Sequence, residues 1–111
     1  MLESTTTARI VLTTVVSQQE AARMGRVLVE ERLAGCATVI PSIHSIYRWQ
    51  GQIEESNEAL LLLKTEAERL GALEARLHEL HGYQTPEFLV LPVENGSHAY
   101  LAWLRGSVEK D

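Results

Sequence analysis

With 111 residues, 45% of them apolar, and a net charge of −5, the chain has the length for one domain that buries roughly two thirds of its unfolded surface. The acidic balance leaves no basic patch to release counterions from a phosphate backbone, which argues against nucleic acid. The longest apolar run, residues 59–63, falls far below the roughly 20 residues a bilayer helix needs, and a lone Cys36 fits a reducing compartment, so a cytoplasmic location without membrane insertion is expected.

Residues 1–7 form a polar lead with neither a basic n-region nor an apolar h-region, expected to be loose and to direct no export. The β-branched run at residues 8–16 predicts a first strand. Ser17, three residues before Glu20, has capping-box spacing and predicts a helix from Gln18 to about Leu33. Ala21, Met24 and Leu28 share one face of it, and Arg23, Arg26 and Glu30 lie opposite. Gly35 is expected to supply its left-handed stop.

Residues 36–40 return to strand character, Pro41 is expected at a bulge or bend, and residues 42–50 continue to a hairpin turn at Gln50-Gly51. The chain returns through Ile53 to Ala59-Leu60-Leu61-Leu62-Leu63, apolar on both faces, which predicts a central strand. Thr65 and Glu68 repeat the capping spacing before a second helix carrying Leu70, Leu73, Leu77 and Leu80, with Gly82 expected to end it. Residues 88–93 read as a fourth strand, Asn95-Gly96 as a turn, and Ser97 as the cap of a last helix with Tyr100, Leu101, Trp103 and Leu104. Residues 109–111 are a charged tail expected to fray.

The order βαββαβ plus a C-terminal helix predicts an α+β, ferredoxin-like sandwich, a single domain over residues 8–108 with two helices on one face of a four-stranded antiparallel sheet. Residues 36–50, extended, would reach about 50 Å, against about 30 Å for residues 8–16, so the hairpin must project. A bare ribbon carrying Tyr47 and Trp49 invites pairing with a sister chain. The alternative is that Pro41 breaks the strand and folds the tip back over its own sheet.

Leu33-Ala34-Gly35-Cys36, Ser45-Ile46-Tyr47-Arg48-Trp49 with Gly51, Lys64-Thr65, Glu79-Leu80-His81-Gly82-Tyr83 with Pro86-Glu87, and Tyr100-Leu101-Ala102-Trp103-Leu104 resemble the motifs of the CutA-like divalent cation tolerance family. The resemblance runs in order from about Ile10 to Val108. It implies a ferredoxin-like fold, a tight homotrimer similar to PII signal proteins, and a part in tolerance to divalent metals such as copper. Ala37-Thr38, His44 and Gly82 depart from the usual family pattern, and His44 could add a ligand.

Cys36 reads either as a soft donor for copper(I) or zinc, with three copies brought together in a trimer, or as a buried small hydrophobe. His44 stands on a separate element from His78 and His81, which lie one helical turn apart; His81, at the helix end, reads as a ligand or as a charge-compensating cap. No CxxC, HExxH or EF-hand pattern is present, so no tightly bound cofactor is expected, and copper or another divalent metal is the candidate ion. Glu54, Glu55 and Glu58 read as a solvated acidic face. Tyr47, Trp49, Lys64, Tyr83 and Glu87 are the candidate lining of an intersubunit cleft, or simply interface anchors. Without a nucleophile elbow, Walker loop or partnered histidine, an enzyme is not expected. The leading expectation is a homotrimeric metal-responsive or metal-binding protein. The alternatives are a PII-like regulatory trimer binding a small metabolite or partner protein, and a structural trimeric scaffold.

Overall fold

The computed structural model describes residues 1–109; residues 110 and 111 of the expected tail lie outside the described residues. Its strands are β1 (Leu2–Glu3), β2 (Ala8–Val15), β3 (Cys36–Trp49), β4 (Gln52–Glu66), β5 (Leu89–Pro92) and β6 (Gly96–Ser97). Its helices are α1 (Gln18–Glu30), α2 (Leu70–Leu80) and α3 (His98–Val108). Four strands form one antiparallel sheet in the order β3-β4-β2-β5, the ferredoxin-like arrangement expected from βαββαβ.

Residues 1–7 are tied down rather than loose. Leu2 stands opposite Ser97 and Glu3 opposite Gly96 in a second, two-stranded sheet. The Glu3 carboxylate meets His98 Nδ1 at 2.8 Å, and the Thr6 hydroxyl donates to the Val93 carbonyl.

Ser17 caps α1 by accepting from the Glu20 amide over 3.1 Å. The helix stops at Glu30, and the left-handed residue is Arg32, at φ 61°, instead of Gly35. The amides of Arg32 and Leu33 donate back to Val29 and Leu28, so the last carbonyls are satisfied before Gly35 is reached, and Leu33 seals the turn by burial. The expected second capping box is also absent. Thr65 stays in β4, its hydroxyl donating to the Leu33 carbonyl over 2.7 Å, and a 3₁₀ turn, Ala67–Arg69, leads into α2. That helix leaves through His81 in an extended conformation, and Gly82 has no left-handed φ.

The hairpin forms as read. Gln50 at φ 51° and Gly51 at φ 78° are both left-handed, the combination that matches the twist of paired strands. Between the pairs Ile40/Leu60 and Ile43/Glu58 the register shifts, so Pro41 and Ser42 oppose one residue in a bulge. The tip extends a molecule whose longest axis is 46 Å.

The two sheet faces differ. Residues pointing to one face, among them Val11, Val15, Leu61 and Leu63, are fully buried beneath Met24 and Leu28 of α1 and Leu73 and Leu77 of α2. Each such side chain contributes about 1.5–3 kcal/mol by leaving water. Gly25 lets α1 approach closely, since a Cβ there would lie 2.9 Å from the Ala37 Cβ. On the other face α3 covers one end, packing Leu101 and Leu104 on Ala8. Beyond α3 this face is open: Ile40, Leu89 and Leu91 are 41%, 53% and 45% exposed, with Leu12, Leu60 and Leu62 half-buried among them.

Candidate functional site

Alternation along β4 places Glu58, Leu60, Leu62 and Lys64 on the open face. At the α3 end of that face, the Lys64 ammonium donates to Thr38 Oγ1 over 2.7 Å and lies 3.7 Å from Cys36 Sγ. Burial, and then the neighbouring Cys36, push the Tyr100 phenol up. Cys36 is half-buried, so it is neither a core residue nor a bare surface thiol.

Beyond the bulge, the same face ends in a groove of about 970 Å³ between the hairpin, the end of β2 and the loop after α2. Tyr47, Trp49, Tyr83 and Glu87, expected together, all line it. Lys64 does not: six residues from Glu58 on an extended strand, it stands about 20 Å away. The sequence places Glu58 in a solvated run with Glu54 and Glu55, and the structure differs. Those two are exposed on the tip, whereas Glu58 is 7% exposed and accepts a 2.6 Å hydrogen bond from the Tyr83 hydroxyl. The signal for this was its place directly before the apolar run that begins at Ala59.

Electrostatics in the groove are one-sided. Among the described residues its ionisable lining groups are Tyr47, Glu58, Tyr83 and Glu87, without a lysine, arginine or histidine. Burial and then the Glu58 charge push the Glu87 carboxyl up, and burial and then the hydrogen bond to Glu58 raise the Tyr83 phenol. Tyr47 adds a hydroxyl 2.8 Å from Ser56 Oγ.

The three candidate metal donors are not brought together within one chain. Cys36 opens β3, and His44 lies beyond the bulge between Asn57 Oδ1 at 3.0 Å and Glu55 Oε1 at 2.7 Å. His81 accepts from the Tyr83 amide at Nδ1, so its proton sits on Nε2 and is donated to the Thr14 carbonyl over 2.8 Å. Both ring nitrogens of His81 are thereby engaged in fixing the loop. His78 is on the exposed flank of α2 beside Glu74. Among the described residues no group of three or more His, Cys, Asp or Glu could hold a metal ion. No helix among them is long and apolar enough to cross a membrane.

Residues 9–107 match the family model described as CutA1 divalent ion tolerance protein. The chain belongs to the CutA1 family. It is 46% identical over 96 residues to the divalent-cation tolerance protein CutA of Thermus thermophilus, covering 86% of this chain and 93% of that one. The structure of CutA from Synechococcus elongatus superposes with a TM-score of 0.93 at 40% identity, over 98% of this chain and 96% of the other. A second structure of that CutA, complexed with a Bis-Tris molecule, gives 0.89 at 39% identity, over 96% and 99%. The Tyr47-Arg48-Trp49 ribbon, the bulge and the loop at residues 82–87 thus all lie inside the matched CutA1 segment.

Proposed function

We propose that this CutA1-family chain works as a homotrimer in the response to divalent metal ions, copper foremost, with the metal held where copies meet. The observation that carries this reading is the open face of the sheet: aliphatic side chains on β2, β3, β4 and β5 form one surface that α3 covers only at its end. A contiguous exposed apolar surface of this kind supports an interface between copies of the chain. The edge strands β3 and β5 both lie at its borders, so a head-to-tail arrangement that closes as a ring would pair different edges of successive copies. Cys36 and His44 are both on edge strand β3, which is the strand that could share donors between copies.

Metal binding is tested by titrating copper(I) and zinc, each against a competing chelator, into the native chain and Cys36→Ser. Loss of copper affinity in the variant supports a shared thiolate site, and unchanged affinity removes Cys36 from it. The lone cysteine fits a cytoplasmic protein, which fractionation of cells would check, and no catalytic role is proposed.

A second reading, a PII-like trimer whose clefts bind a small metabolite, is favoured by the groove at the hairpin base, whose volume of about 970 Å³ suits a small organic molecule. The Bis-Tris complex of the Synechococcus elongatus CutA adds to its support.

A further inference from the structure

The groove is wide, aromatic and acidic. Tyr47 and Trp49 remain 43% and 41% exposed, and Tyr83 lines the groove with them. Two carboxylates, Glu58 and Glu87, line it with them, and among the described residues no cationic side chain does. Taken with the second reading above, we infer that this groove takes a small organic cation, an amine or quaternary ammonium on an apolar frame, in preference to an anionic metabolite or a bare metal ion.

Each alternative meets a specific obstacle. An anion would enter against two carboxylates, with no basic group among the described residues that line the groove to receive it. A hydrated divalent ion would find two carboxylates, one already bonded to Tyr83, where hard cations take six or more oxygens. An organic ammonium is easily desolvated, is attracted by the faces of tryptophan and tyrosine, and neutralises the carboxylates at the same time.

The test reads Trp49 emission in a Trp103→Phe background, the chain's two tryptophans being Trp49 and Trp103. The probes are choline, its uncharged isostere 3,3-dimethyl-1-butanol, spermidine, succinate and calcium chloride. Choline and spermidine should bind about tenfold or more tightly than the uncharged isostere, and succinate and calcium should neither bind in the groove nor displace them. Glu87→Gln should weaken choline about twofold to fivefold and leave the isostere unchanged, with Glu58→Gln acting in the same direction if it folds. Equal binding of choline and its isostere, tighter binding of succinate, displacement by calcium at equal charge, or no response from folded protein at millimolar choline would each overturn the inference. Sedimentation of the same samples separates the two claims: a trimer without cation selectivity sinks the inference alone, and a monomer that binds choline sinks the trimer alone.

Discussion

The Tyr83 hydroxyl and the Glu58 carboxylate, 25 positions apart, meet at 2.6 Å and lock the loop after α2 to the base of the hairpin. Glu58 is 7% exposed, so removing its donor leaves a carboxylate oxygen poorly solvated and short of a hydrogen bond. Tyr83→Phe is therefore expected to lower stability by about 1–3 kcal/mol in denaturant melts. A melt coinciding with that of the native chain would mean that water replaces the phenol without cost.

Gly25 is a packing requirement of α1 on β3. An added methyl would sit 2.9 Å from the Ala37 Cβ, which belongs to the backbone-fixed stub of a strand residue and cannot swing away. Gly25→Ala should cost about 1–3 kcal/mol through overpacking, despite the better helix propensity of alanine. Calorimetry showing a raised melting temperature would contradict this.

His44 lies between Asn57 and Glu55, and these hydrogen bonds, Asn57 first and Glu55 second, raise its pKa above the ordinary 6.5. A raised folded value means that the protonated ring stabilises the hairpin. That contribution is fully present below about pH 6.5 and is lost as pH rises through the folded value. Titration of the His44 ring followed by NMR should give a midpoint above 6.5, lowered in Glu55→Gln. A midpoint at or below 6.5 in the native chain would show that these bonds do not persist in solution.

Leu91 tests the open face. It is 45% exposed in the single chain, so a charge there costs the monomer little, yet it stands opposite Ile10 among the aliphatic residues proposed to meet another copy. Leu91→Lys should leave far-ultraviolet circular dichroism unchanged while reducing the solution mass. Native assembly in this variant would place the interface elsewhere.

Much of the fold could be read locally. Ser17 and Ser97 cap their helices with bonds confined to the first turn, and Gln50-Gly51 with Pro41 set the turn and the bulge through backbone constraints of their own. What escaped was decided by distant groups. Thr65 has the spacing of a cap, but its hydroxyl is used by Leu33, 32 positions away. The lead is held by β6 and His98, contacts formed only once α3 is in place.

The candidate site divides in the same way. The aromatic motif named Tyr47, Trp49, Tyr83 and Glu87, which the structure gathers around one groove. Glu58 escapes a local reading because what covers it is Tyr83, 25 positions away, while Glu54 and Glu55, further out on the tip, stay in water. The leucines of β4 were read correctly as a central strand, but only one of their faces is covered by helices. Their second apolar face is the one proposed to meet another copy.

Sedimentation equilibrium of the untagged chain at micromolar concentration is the most direct test of that reasoning. A mass about three times 12.4 kDa is expected; a single species at 12.4 kDa would contradict the proposal that the open face is covered by sister chains.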